Sequence, residues 1–314
     1  AVVIMGVYLI SEGSLTMGGL IACTILAGRC LTPLGPMANL VTRYQQAKQA
    51  LQGLNELMAT PLDRSPDKQY LHRPHLDGNI EFEHVSFNYP NQQSKALNDV
   101  SFKIKAGERV GIVGRIGSGK STLHKLLLGL YHPISGSILL DGANILQIDP
   151  IDLRHNIGYV PQDCLLFTGN VRDNIIMTKP WADDNAVLAI AKITGVDRFI
   201  SQHPTGYDLH VGERGETLSG GQRQSVTIAR ALLPNPPIIL MDEPTNAMDE
   251  RTESELIAGL APFLQDKTLI VVTHKPSLLN LVDRIIVFDG GRIVFDGPKS
   301  SLVKPASKSD NPKS

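Results

Sequence analysis

Cysteine is scarce in this chain of 314 residues, aromatic side chains make up only 5%, and neither sign of charge prevails, with 30 Lys+Arg against 31 Asp+Glu. Each shortage removes a class of explanation. Three cysteines, Cys23, Cys30 and Cys164, form no CxxC pair and leave an odd one over. That argues against a disulfide framework or a zinc site and fits a reducing compartment, with all three as small packing residues. With few aromatics, aliphatic side chains must dominate the core. The near-neutral balance gives no support to nucleic-acid binding through bulk charge. No internal repeat is visible. The opening run AVVIMGVYLI has no positively charged leader and is not a signal peptide. Ten residues cannot cross a bilayer, which takes ~20, so the run reads as the end of an apolar helix that begins upstream. The length suits one large domain with an appendage or two small ones.

What is present begins with a long apolar stretch. After the polar turn 11–19, residues 18–40 run 23 positions with one charge, Arg29. That length suits a spanning helix, kinked at Pro33 and Pro36, as membrane helices tolerate. Arg43, Lys48, Arg64 and Lys68 follow it, and the turn before it holds only Glu12. By the positive-inside rule everything after residue 40 is expected on the cytoplasmic side. The helix is expected to continue, because Met37, Leu40, Tyr44, Ala47, Leu51, Leu54 and Met58 recur at alternating spacings of 3 and 4. This is a heptad seam in need of a partner helix. Residues 59–78 hold three prolines and many charges and read as a linker.

A separate domain is expected over 79–304, with a disordered polar tail over 305–314. NIEFEHVSF and KALNDVSFKI have the two-residue period of strands. ERVGIVG, SILLDG, NIGYV, PPIILMD, KTLIVVT and DRIIVFDGGRIVFDG are further strands, and helices are expected after Lys120 and over 183–194, 219–233 and 249–264. Strands alternating with helices imply an α/β fold around a parallel sheet covered on both faces, with a small antiparallel sheet formed by the early strands.

GRIGSGKST (114–122) fits G-x-x-x-x-G-K-[ST], following an apolar strand and opening an apolar helix. Glycines let the backbone wrap a phosphate so that N–H groups point inward, and the helix N-terminus adds its positive end. Lys120 can reach the outer phosphates and the Ser121 hydroxyl can ligate Mg²⁺. IILMDE (238–243) ends an apolar strand in two carboxylates that point to opposite sides and can do different work. Asp242 would hold the metal and Glu243 would polarise water. His274, Gln162 and Tyr89 each end or border an apolar segment and are weak signals taken singly. LSGGQ (218–222) places Ser219, a good N-cap, with Gly220 and Gly221 at the start of another helix, a second anion site by the same physics.

Together these segments resemble the ATP-binding cassette (ABC) family, with six elements in the expected order across 79–304. The resemblance implies that Tyr89 stacks on adenine, and that Gly114, Gly117, Ser118, Gly119, Lys120, Ser121 and Thr122 form the P-loop. It implies that Gln162 in YVPQD senses the metal, that Asp242 binds it, that Glu243 activates water, and that His274 positions the γ-phosphate. Ser219, Gly220, Gly221 and Gln222 match the signature. NAMD (246–249) stands where SALD is commoner in the family and keeps Asp249 in place. The family pairs two cassettes head to tail, so the resemblance implies a homodimer in which LSGGQ serves the partner's ATP. Residues 1–58 resemble the end of an exporter's transmembrane domain. VGERGE (211–216) resembles the exporter segment that contacts that domain. GRIGSGKST and QIDPIDLRHNIGYVPQD most resemble type I secretion permease/ATPases of the bacterial inner membrane. Those imply ATP and Mg²⁺ as cofactors, a repeat-rich adhesin or toxin as cargo, and a periplasmic adaptor and outer-membrane channel as partners. An exporter of lipid, drug or peptide would present the same cassette. A soluble ABC ATPase would bring a coiled-coil insertion or a basic surface, which this sequence does not show.

Overall fold

The computed structural model describes residues 1–301 apart from 67, 91 and 93; the expected polar tail at 305–314 lies outside the described residues. The chain divides into two compact units, Ala1–Ser65 and Pro66–Ser314.

The first unit is helical: α1 (Val2–Ser11), α2 (Met17–Leu31) and α3 (Leu34–Met58). Thr16 caps α2, accepting from the Gly19 N–H at 3.2 Å. The apolar stretch 18–40 is helical with a kink at Thr32–Pro33, where α2 passes into α3 and both residues keep right-handed helical backbone. Proline lacks the N–H that would continue the ladder, whereas Pro36 falls in the first turn of α3, where N–H groups have no helical partner anyway. Gly6 lets α1 and α2 approach closely, since a Cβ there would lie 2.2 Å from Leu20 Cδ1. Met17–Met58 is long and apolar enough, by length and composition, to cross a membrane. The heptad residues Met37, Leu40, Tyr44, Leu51, Leu54 and Met58 stay exposed on the single chain.

The second unit opens with two strands, β1 (Ile80–Phe87) and β2 (Leu97–Ile104). It continues with β3 (Arg109–Gly114), α4 (Lys120–Leu127), β4 (Ser135–Leu140), β5 (Ala143–Asn144), α5 (Pro150–His155) and β6 (Ile157–Val160). Next come α6 (Val171–Ile176), α7 (Asp184–Thr194), α8 (Val196–Ile200) and α9 (Gly220–Leu232). β7 (Ile238–Asp242), α10 (Glu250–Phe263), β8 (Thr268–Val272), β9 (Arg284–Asp289) and β10 (Arg292–Pro298) complete it. A four-stranded antiparallel sheet has the order β2-β1-β4-β5, and a six-stranded sheet the order β10-β9-β3-β8-β7-β6. β9, β3, β8, β7 and β6 run parallel, and β10 returns antiparallel through Gly290–Gly291. Both glycines have positive φ, 52° and 77°, as a two-residue hairpin turn requires.

Alternation along the central strands divides the core in two. Ile238, Leu240, Ile270 and Val272 pack with the antiparallel sheet and α4. Ile239, Met241, Leu269 and Val271 pack with α7, α9 and α10. The strands are therefore buried on both faces, which is why they read as continuous apolar runs.

Candidate nucleotide site

Three neighbouring strands, β3, β8 and β7, end at one edge of the sheet, and the chemistry-bearing residues follow them. β3 ends at Gly114, where a Cβ would lie 2.2 Å from the Phe288 carbonyl oxygen. At Gly119, with φ 100°, a Cβ would lie 2.4 Å from the Ala96 oxygen. Glycine is required at both ends of the loop because the backbone of Phe288 in β9 and of Ala96 just before β2 presses on it. Lys120 opens α4 and folds back, its Nζ donating to the Gly114 and Arg115 carbonyls at 2.7 and 2.8 Å. Burial lowers the Lys120 pKa, opposed by the carboxylates of Glu243 and Asp242. The Ser118 hydroxyl is buried inside the loop with no protein partner. A cradle with a spare donor and a lysine bonded only to carbonyls suits an oxyanion such as phosphate. Ser121 and Thr122 follow in the first turn. Tyr89 is tied to that turn by its hydroxyl, 3.1 Å from Thr122 Oγ1. Its ring meets Phe87 and Tyr131 edge-on at 5.1 and 5.3 Å, with Lys125 Nζ 5.2 Å from its centroid.

β7 is fully buried and ends in Asp242, 3% exposed. Glu243 leaves the strand with φ 47°, a left-handed backbone unusual for glutamate, its N–H donating to the Val272 oxygen at 2.9 Å. His274 Nε2 lies 3.6 Å from Glu243 Oε1, and Thr273 Oγ1 donates to Oε2 at 3.4 Å. His274 itself is exposed, so the pair joins a sequestered carboxylate to a ring in contact with solvent. Lys120, Asp242, Glu243 and His274 thus share one corner.

Other expected site residues lie elsewhere. Gln162 is exposed beyond the end of β6 and lines a groove with Arg214, Gly220, Gln224 and Ala247. LSGGQ opens α9 with a reciprocal cap: Ser219 Oγ accepts from the Gln222 N–H at 3.2 Å, and Gln222 Oε1 accepts from the Ser219 N–H at 2.8 Å. Ser219, Gly220, Gly221, Gln222 and Asp249 line a separate cavity of about 500 Å³, to which no P-loop residue contributes among the described residues. Asp249 caps α10, accepting from Thr252 N and Oγ1 at 2.9 and 3.0 Å, and these bonds lower its pKa.

Several participants carry no sequence signal. Gln224 Oε1 accepts from the Ala247 N–H at 3.0 Å, joining the signature helix to NAMD. Glu253 is nearly buried between Lys275 and Ser277, and Lys275 Nζ also donates to the Thr245 oxygen at 2.8 Å. This cluster braces the turn after Glu243 from below. His124, on α4, has no exposed surface, no partner for either ring nitrogen, and an edge-on contact with Tyr159 at 5.9 Å between centroids.

Residues 97–246 match the ABC transporter family. The chain is 39% identical over 300 residues to the exotoxin translocation ATP-binding protein PaxB of Pasteurella aerogenes, covering 96% of this chain and 42% of that protein. It is 38% identical over 307 residues to the alpha-hemolysin translocation ATP-binding protein HlyB of Escherichia coli O157:H7, covering 98% and 43%. A solved bacterial Atm1-family ABC exporter with ATP bound is similar in fold, with a TM-score of 0.77 at 35% identity over 96% of this chain and 52% of that one. The chain therefore spans less than half the length of the curated relatives it matches.

Proposed function

This chain belongs to the ABC transporter family, and on that premise we propose that it supplies one ATPase of a paired exporter that moves a protein substrate across the bacterial inner membrane. The observation that carries the reading is a division of labour. Lys120, Asp242, Glu243 and His274 meet at one sheet edge, and LSGGQ opens a separate cavity. A cassette whose signature stands apart from its own P-loop has a second anion site to offer a second cassette.

In this reading Tyr89 stacks on adenine. Gly114, Gly117, Ser118 and Gly119 wrap the phosphates, with Ser121 and Thr122 at the helix N-terminus. Lys120 exchanges its two carbonyl partners for outer phosphate oxygens. The Ser121 hydroxyl and the Asp242 carboxylate, with Gln162 sensing occupancy, are hard oxygen donors that fit Mg²⁺. Held there, the ion would supply charge neutralisation on the phosphates. Glu243, held against Thr273, draws the proton from the attacking water, and His274 positions the γ-phosphate. Ser219, Gly220, Gly221, Gln222 and Asp249 serve the partner's ATP.

Residues 1–58 form the end of the membrane domain and 79–304 the cassette, on the cytoplasmic side; of the connecting residues 59–78, those from 66 onward belong with the second unit. The toxin-translocating relatives favour a protein cargo, a repeat-rich adhesin or toxin, passed through a periplasmic adaptor and an outer-membrane channel. No nucleic acid takes part. Glu243→Gln is expected to keep ATP binding, lower turnover by on the order of a hundredfold or more, and accumulate an ATP-bound dimer. Phosphate release and light scattering on the same sample check this; unchanged turnover rejects the assignment.

A further inference from the structure

Residues 68–79 are strapped along the second unit. The Leu71 N–H donates to the Gln147 oxygen at 2.6 Å, and the Asp149 N–H donates back to the Leu71 oxygen at 3.0 Å. Asp152 Oδ2 accepts from the Arg73 N–H at 2.7 Å and faces His72 Nδ1 at 2.6 Å. Asn156 grips the strap as one peptide group grips another. Its Nδ2 donates to the Pro74 oxygen at 3.1 Å, and its Oδ1 accepts from the Leu76 N–H at 3.1 Å. Asn156 Nδ2 also donates to the Asp152 oxygen at 2.8 Å, so the two anchors are joined. Asp141 accepts the N–H groups of Asp77, Gly78 and Asn79 and closes the strap at its far end.

Asp152 and Asn156 are 6% and 5% exposed. A buried polar side chain stripped of its partners is costly, so the strap does not peel away without leaving both unsatisfied. It therefore moves with its anchors. Asn156 is also the residue from which β6 departs, and the Ile238 N–H donates to the Asn156 oxygen at 3.2 Å. β6 runs four residues beside β7, to Val160 opposite Met241, and Gln162 follows two residues later. Asp242 ends β7 itself.

We propose that Asp152 and Asn156 are positioning residues. They hold residues 71–76 as a mechanical strap, through which displacement of the chain N-terminal to it reaches Gln162 along β6. Capture of nucleotide at Gln162 travels back along the same route. This rests on the reading of the nucleotide site given above. Hydrogen exchange on the full chain in detergent, in the Glu243→Gln background with and without ATP and Mg²⁺, tests both separately. The expected result is slowed exchange in 114–122, and in step with it slowing of about tenfold in 68–79 and 157–163. In Asn156→Ala, 114–122 is expected to keep its response while 68–79 loses its own. A merely structural loss would speed exchange equally with and without nucleotide. Arg73→Pro deletes one strap donor without touching α5 and carries the test should Asn156→Ala not fold. A strap indifferent to nucleotide in the parent overturns the proposal, as does a full response surviving both substitutions. Absence of slowing at 114–122 in the parent overturns the nucleotide site and the proposal with it.

Discussion

His124 stands three residues beyond Ser121 in a fully buried position, and burial pushes its pKa down to about 4 against the field of Asp242. As pH falls below the ordinary value of 6.5, the unfolded chain takes up this proton and the folded chain does not. Stability therefore falls with acidity: the contribution is intact above pH 6.5 and is lost as pH drops through about 4. The difference amounts to about 3 kcal/mol. Denaturant midpoints measured across that window are expected to fall more steeply for the parent than for His124→Leu, which has no proton to gain. The motif residues were legible because each string is contiguous: GRIGSGKST, LSGGQ and IILMDE carry their chemistry in adjacent letters. His124 was not, because STLHKLL reads as a helix with a polar residue to spare. Nor were Gln224 with Ala247 or Lys275 with Glu253, partners 23 and 22 residues apart that only the fold brings together.

Among elements, strands with a two-residue period and the buried runs around β7 and β8 followed directly from the spacing of Ile, Val and Phe. The helices after Lys120, over 183–194, 219–233 and 249–264 followed from theirs. α5, α6 and α8 have six, six and five residues, too few for an apolar period to declare itself. The strap was illegible for a different reason. Its prolines and charges are those of a loose connection, and the ordering partners lie 62 to 82 residues away. The cap on α9 was legible, and its worth is measurable. Ser219→Ala removes the acceptor for the Gln222 N–H. It is expected to cost about 1 kcal/mol, read as a lowered denaturant midpoint. A larger loss of ATP turnover than of stability in that variant separates the proposed nucleotide role of Ser219 from its capping role.

For the molecule as a whole, the apolar surface is unevenly shared. Val3, Ile4, Met5, Ile21, Leu26 and Leu40 are all more than half exposed, and the central strands of the second unit are sealed on both faces. Surface of that size and character belongs in lipid or against another helix. The full chain is expected to float with phosphatidylglycerol-containing vesicles in a density gradient, and a chain beginning at residue 66 to remain at the bottom. Flotation of both, or of neither, contradicts the assignment of the first unit to the membrane.

β10 closes the six-stranded sheet, and among the described residues only β9 pairs with it. An open edge of this kind invites another chain to add on strand by strand. Here Asp296 is engaged by Arg284 at 2.6 Å, and Pro298 has no N–H to offer. Ribbon growth from this margin is thereby discouraged. On the reading proposed above, two cassettes would then be brought together by their nucleotides and not by main-chain pairing at this margin, which makes fuel the arbiter of that contact.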